Sequence, residues 1–519
     1  MADSAQPLSL IGAGRGVAAA LLVLILGSLV AVASVGAEVP RFGPSDWAAL
    51  RFTVWQAVLS AVISVGLAIP LARALMRRRF PLRGLAITLL GAPFLLPVLV
   101  AVIGILAVFG RNGVLSQGLV AVGLPPIEIY GLQGVVLAHV FFNLPLATRL
   151  ILQGWLAIPA EQIRLGQSLG FGPSEVARHL ERPVLRAVLP GALLVIFLIC
   201  STSFAVALTM GGGPRATTLE LAIYQAFRFD FDLARAAMLG GVQVLICVVA
   251  VLALRAVPVA EVGFGGLDRA QPQFRGGGIW LRVQDIAVIA LGVSFLLFPI
   301  LMIFLQGLPH VMALPNLVWT SALRSLGVAL LSVLVLLVMA LPLATTLARS
   351  DARWAHFAAA LPIAVSPLVL GLGAFIVLRP WVDPASVVLP LTALVNAVMS
   401  LPFVLRALVP ELRQIETHHG RLAVSLGMGR WDWIRLVVLP RLRRPLGFGA
   451  GLTAALSMGD LGVIALFADP SRGTLPLAIY QLMGSYQMDA AAGAALVLMA
   501  LTLSVFWLFD RGGRLNAGV

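Results

Sequence analysis

The sequence predicts an all-α integral membrane protein with twelve transmembrane helices, arranged as two tandem six-helix repeats. Three observations carry this. Hydrophobic residues make up 60% of the 519 and charged residues only 11%, with a mean hydropathy of +1.01, a balance that a water-exposed surface does not allow. Twelve apolar stretches are each long enough to cross a bilayer, because a helix rising about 1.5 Å per residue needs about 20 apolar residues for a hydrocarbon core of about 30 Å. The chain also repeats itself: SLGFGPSEVARHLERPVLR at Ser168–Arg186 returns as SLGMGRWDWIRLVVLPRLR at Ser425–Arg443.

The stretches centre near Ile25, Ser64, Val98, Leu144, Val195, Val244, Ser294, Val333, Val369, Val398, Leu456 and Met499. They are continuous and apolar on all sides, whereas a barrel strand would alternate with period two. The duplication extends well beyond the polar loop. QAVLSAVISVGLAIPLA ending at Ala72 parallels GVALLSVLVLLVMALPLA ending at Ala344, FNLPLATR at Phe142–Arg149 parallels MSLPFVLR at Met399–Arg406, and TLELAIYQ at Thr218–Gln225 parallels TLPLAIYQ at Thr474–Gln481. The spacing between copies shortens after the second crossing, which places an insertion of the first half in the external stretch Arg111 to Pro126. Both copies run in the same direction, so a pseudo-two-fold axis along the membrane normal is expected, with a pathway between the halves. The expected organisation is a tail, first crossing and external loop (1–50), a first repeat domain (51–257), a linker (258–283), a seventh crossing with its external loop (284–316), a second repeat domain (317–510) and a tail (511–519). The polar repeated loops occupy 161–186 and 416–443.

Arginine sets the orientation, because positive residues collect in cytoplasmic loops. With both termini cytoplasmic, Arg77, Arg78, Arg79 and Arg83, both repeated loops, Arg349, Arg353, Arg511 and Arg514 all fall inside, as do Arg255, Arg269, Arg275 and Arg282 of the linker. The net charge of +14 then reads as topology and contact with the lipid bilayer. It does not read as nucleic-acid binding, since the charges are spread over short loops. The small residues Ala33 to Ala37 resemble a signal-peptidase site, but the apolar run before them is long, so an uncleaved first helix is expected. Cys200 and Cys247 lie in apolar helices and read as small buried hydrophobes.

Each polar loop has the makings of a docking element. The glycine pairs Gly170/Gly172 and Gly427/Gly429 allow a tight turn, after which a short surface helix is expected. Glu175 and Asp432 sit near the positive end of that helix, Arg178 and Arg435 lie on it, and Pro183 and Pro440 are expected to end it. Ser168 and Ser425 open the two copies. These residues resemble the EAA loop of binding-protein-dependent ABC importer permeases of type I. The resemblance implies that each loop fits a groove on a nucleotide-binding subunit, that two copies of an ABC ATPase are partners, and that a periplasmic substrate-binding protein delivers the cargo. Where the family has Glu-Ala-Ala, this chain has Arg164-Leu165-Gly166 and Arg421-Leu422-Ala423, which puts the family glutamate's contact in doubt.

All 36 basic residues are arginine. A Walker A loop needs the lysine of G-x-x-x-x-G-K before Ser or Thr, so ATP and its Mg²⁺ are expected on the partner ATPase. No cofactor or metal is expected on this chain, and no catalytic residue. Gly211–Gly213 read as an external helix-ending turn. A secondary carrier of the major facilitator type also has six plus six helices, and DRGGR at Asp510–Arg514 is similar to its signature. Here that string lies in the tail, and ionisable residues within the apolar segments are few.

Within the importer permeases, GGGPRATTLELAIYQAFRFDFDLARAAML at Gly211–Leu239, SMGDLGVIALF at Ser457–Phe467 and TLPLAIYQLMGSYQ at Thr474–Gln487 resemble the thiamine and thiamine diphosphate permease family over nearly the full chain. Fused ferric-iron permeases share the layout and remain the alternative. The resemblance implies a multi-pass protein of the bacterial inner membrane that takes up thiamine, with its phosphates left open as cargo. Asp460, between Gly459 and Gly462, is a candidate for the translocation path, where a carboxylate would offset the thiazolium charge. The bland reading, a carboxylate capping backbone donors at a helix break, stands beside it. Its partner in the first half is Ser203. Tyr224 and Tyr480 lie near the external face, either touching the binding protein or sitting in the aromatic belt.

Overall fold

The computed structural model describes residues 11–35, 42–78, 80–211, 213, 216–256, 278–350, 352–467 and 472–514. Residues 1–10, most of the linker, Arg79, Gly212 and Pro214 of the external turn, and the tail from 515 lie outside the described residues. So do Gly36 and Ala37 of the small-residue run. Every described regular element is helical.

The main helices are α1 (Ile11–Val35), α2 (Pro44–Arg77), α3 (Val98–Phe109), α4 (Leu132–Leu156), α5 (Arg182–Ser201), α6 (Phe204–Met210), α7 (Leu219–Arg228) and α8 (Leu233–Arg255). There follow α9 (Ile279–Gly307), α10 (Asn316–Arg349), α11 (Pro367–Leu378), α12 (Pro384–Ser425), α13 (Leu439–Gly459), α14 (Gly462–Phe467), α15 (Leu475–Gly484) and α16 (Met488–Arg514). Among the described residues, 11 helices are long and apolar enough to cross a membrane. A bent pair, Arg353–Ala364 and α11, meeting at 105°, brings the number to 12 when it is counted as one span. Proline explains the bend: Pro367 opens α11, and Pro97 caps α3 in the equivalent broken approach of the first half. A proline ring fits a first helical turn but not the helix before it. The crossing expected around Val98 therefore begins there, and its approach is made of the short helices Arg83–Leu89 and Ala92–Leu95. The insertion lies where the spacing places it: Gly110 to Gly131, with its own helix Val114–Ala121, stands against a short Arg379–Asp383 connection in the second half.

The chain forms two compact units. One comprises residues up to 41, 223–244 and 309 onward, and the other comprises 42–222 and 245–308. In the first, α1 packs on α10 and α11 of the second repeat. In the second, α9 packs on α2 and α3 of the first repeat. The leading helix of each half thus joins the unit built mainly from the other half. Glycine makes these contacts close. A Cβ on Gly14 would lie 2.0 Å from Thr346 Oγ1 and 2.2 Å from Pro342 O, and one on Gly373 would lie 2.4 Å from Ser28 O. In the other unit, a Cβ on Gly104 would lie 2.6 Å from Pro299 O. Lipid tails are as apolar as leucine, so close backbone approach through small residues drives such pairs.

Gly14→Ala is expected to destabilise the first of these units by roughly 1–3 kcal/mol, the usual cost of overpacking. Gly16→Ala, on the same helix with nothing within 4 Å of its added methyl, is the control. Thermal unfolding of the purified protein in detergent checks this; equal midpoints for the two variants would contradict the packing.

Candidate coupling site

In each unit one polar knuckle interrupts two long helices, and the two share one local geometry. A short helix, Ala160–Ser168, leads to Gly170, whose φ of 69° is left-handed. In the second half α12 runs to Ser425 and Gly427 takes a φ of 61°. Phe171 N–H reaches back to Gly166 O at 2.9 Å, as Met428 N–H does to Ala423 O at 3.0 Å. This six-to-one bond with glycine in the left-handed position is a Schellman cap, which satisfies a last-turn carbonyl. Ser168 Oγ donates to Leu165 O and Ser425 Oγ to Leu422 O, both at 2.8 Å.

After the turn the chain re-enters a helix at Pro173–Val176 and Arg430–Asp432. A Cβ on Gly172 would lie 2.8 Å from Glu175 Oε2, and one on Gly429 would lie 3.3 Å from Asp432 Oδ2. Both carboxylates therefore fold back over the start of their helix, the end where its dipole is positive. Glu175, Arg178, Asp432 and Arg435 are exposed, as are Arg164 and Arg421 in the place of the family's glutamate.

Pro183 and Pro440 do not end the short helix as the sequence led us to expect. The chain continues helically through a π turn, Ala177–Glu181 or Trp433–Val438, into α5 and α13, where each proline occupies the first turn. The residue before each proline bonds five positions back, Arg182 N–H to Ala177 O and Leu439 N–H to Ile434 O. A widened turn admits a proline ring that a regular turn would exclude.

Sequence reading missed the leucines of the knuckle. Leu165 and Leu169 are 59% and 64% exposed, and their counterparts Leu422 and Leu426 are 55% and 66% exposed. Two leucines four apart share one helix face, so the signal was present in a polar stretch that drew the eye to its charges. Two buried tryptophans pin the outgoing limbs, of which the sequence reading marks only Trp433, as a membrane anchor. Trp155 is buried and donates from Nε1 to Glu181 O at 3.1 Å, while Trp433 is buried within the second π turn.

Deeper in each unit, a crossing breaks at equivalent positions. α5 ends at Ser201, Ser203 is extended, and α6 follows. α13 ends at Gly459, Asp460 is extended, and α14 starts at Gly462. Buried polar side chains gather at both breaks. Gln56 Nε2 donates to Cys200 O at 2.9 Å, and Asn143 Nδ2 approaches Cys200 Sγ at 3.4 Å. In the second repeat Asn396 Nδ2 donates to Ser457 Oγ at 3.1 Å, and Ser457 pairs with Ser332 at 2.9 Å. Gly462 N–H donates to Asp460 Oδ1 at 3.1 Å. Asp460 Oδ2 is buried with no hydrogen-bond partner among the described residues. Tyr224 is on α7 and Tyr480 on α15; one side-chain hydroxyl caps each of these helices, Leu219 N–H donating to Thr53 Oγ1 and Leu475 N–H to Ser325 Oγ, both at 2.8 Å.

Comparison with known proteins places this geometry. The chain is 40% identical over 478 residues to the thiamine transport system permease protein ThiP of Brucella abortus, covering 90% of this chain and 87% of that protein. It is 39% identical to ThiP of Escherichia coli, over 90% of this chain and 89% of that one. The chain belongs to the thiamine transport system permease family. No protein-family model matches it. A sulfate transport system permease protein, CysW of Synechocystis, is 32% identical over 40% of this chain but 83% of its own length. A thiamine-family permease thus holds, in under half its chain, most of one sulfate permease, in keeping with the duplication.

Gly427→Val is expected to cost about 1–2 kcal/mol, because a branched side chain is forced into a left-handed backbone. Gly420→Ala, in the preceding helix with nothing within 4 Å, should be neutral or better. Thermal melts of both variants check the cap.

Proposed function

We propose that this chain is the permease subunit of an ATP-driven importer, carrying thiamine delivered by a periplasmic binding protein into the cytoplasm. The observation that carries the cargo is the family itself, with about nine-tenths of the chain aligned to thiamine transport permeases. The protein is a multi-pass inner-membrane permease. Both termini and both knuckles face the cytoplasm in this reading, because the arginine-rich loops gather on that side.

Each knuckle offers an ATPase subunit two exposed leucines ringed by charge, so two copies of the ATPase are assigned, one per repeat. An apolar centre with a polar rim is the usual anatomy of a docking patch. ATP and Mg²⁺ belong to that partner, since a chain without lysine has no Walker A loop. Asp460 and Ser203 line the cargo's way at their helix breaks. The Asp460 carboxylate caps Gly462 N–H at the break itself, which joins the capping reading to the transport reading.

Cells lacking the gene, but with the binding protein and ATPase, should lose saturable uptake of radiolabelled thiamine. The intact gene should restore it, and excess thiamine but not ferric iron should block it. Unchanged uptake in the deletion would sink the assignment, and a block by ferric iron alone would move it to that cargo. Asp460→Asn should lower uptake about fivefold or more, in the range of a single coupling interaction, with the ATPase still co-purifying. Wild-type uptake by that variant would remove Asp460 from the path.

A further inference from the structure

The last residue of α2 and that of α10, Arg77 and Arg349, are equivalent in the repeat, yet their acidic partners are not. Glu181 closes the first π turn, on the limb that leaves the first knuckle. Its side chain is 8% exposed, with Arg73 Nε 2.8 Å from Oε2 and Arg77 Nη2 3.8 Å from Oε1. The matching residue of the second knuckle is Val438, which is buried and apolar. There Arg349 Nε pairs with Glu416 Oε1 on α12, on the limb that arrives at the knuckle. Arg413 Nη2 adds a bond to Leu347 O at 3.0 Å.

We infer that Glu181 is a positioning residue that passes movement of the first knuckle's outgoing limb to α2, whereas the second knuckle passes its movement to α10 through the incoming limb. The inference rests on the reading of the knuckles as ATPase-docking elements. Three features carry it. A carboxylate buried against two guanidiniums is costly to separate, so the three groups travel together. α2 is a single helix of 34 residues. Farther along it, Gln56 holds the carbonyl of Cys200 beside the helix break, and Thr53 caps α7. A displacement at Glu181 is thereby delivered to the break at Ser203 along one continuous helix, with Pro70 as its bending point between the two sets of contacts. The two repeats are consequently unequal machines built on one plan, with the first pulled from behind its knuckle and the second from in front.

The tie can be cut without moving the limb, because Trp155 binds the Glu181 main-chain oxygen whatever the side chain. The test uses the full importer, with its binding protein and ATPase, in proteoliposomes. Glu181→Gln is expected to retain the ATPase at wild-type stoichiometry while thiamine moved per ATP hydrolysed falls about tenfold, the scale of a coupling between sites. Glu181→Asp, which keeps the charge, should restore most of that ratio. A role in folding alone would lower the amount of complex and leave the ratio per complex unchanged. Should Glu181→Gln fail to accumulate, Arg73→Gln reads the same ratio and should lower it. A wild-type ratio in Glu181→Gln, or an aspartate variant as uncoupled as the glutamine one, would overturn the inference. The docking reading fails separately: if Leu169→Arg with Leu426→Arg leaves the ATPase bound and uptake intact, the knuckles do not dock and the inference falls with them.

Discussion

A backbone N–H or C=O has no water to turn to inside a bilayer, and this constraint organises the molecule. Unbroken helices meet it automatically, because their peptide groups bond along the helix. This chain interrupts helices at Ser203 and at Asp460, among other places, and so must supply partners from side chains. Neighbouring long helices provide them: Gln56 for the carbonyl of Cys200, and Thr53 and Ser325 for the N–H groups that start α7 and α15, while Ser332 and Asn396 hold the Ser457 hydroxyl beside the second break. Asp460 supplies its own, capping Gly462. Polar side chains in apolar helices are costly unless satisfied, and here they mark where the crossings open.

The same long helices reach the knuckles, so one element in each repeat touches both a break and a knuckle. α2 holds Glu181 at one end and Cys200 farther along, and α10 holds Glu416 and Ser457 in the corresponding way. Continuous helices with discrete polar contacts at both ends are the kind of connection through which two sites can bias each other. The duplication preserved the knuckle bonds almost bond for bond while the buried groups diverged, with Asn143 and Cys200 against Ser400 and Ser457, Ser203 against Asp460, and Glu181 against Val438. The exposed turns kept their bonds through the duplication, whereas the buried groups did not.

Much of this was legible in the sequence because it is local. Continuous apolar runs of sufficient length specify crossings, and a glycine at a helix end specifies a left-handed cap, so the positions of Gly170 and Gly427 needed no structure. What was not legible depends on contacts between distant segments. Nothing in Arg73, Arg77 or Glu181 announces that they meet, and nothing in α1 or α9 announces which repeat receives them. Pro183 and Pro440 were misread because proline is ambiguous: it ends the helix before it but fits the first turn of the helix after it, and a π turn let both be one run. The exposed leucines were overlooked because apolar residues in a membrane protein carry little information until their exposure is known.

On the proposed function, the two knuckles are where ATP hydrolysis is coupled to the permease. Cysteines placed singly at Leu169 and at Leu426, in a chain whose own Cys200 and Cys247 are buried, allow a short bifunctional reagent to report contact with the ATPase in membranes that carry out thiamine uptake. Cross-links from both positions to the ATPase subunit, weakened when ATP is withdrawn or added, are the predicted result. Absence of cross-links from both positions, in membranes where uptake is intact and the cysteines react with a soluble label, would contradict it.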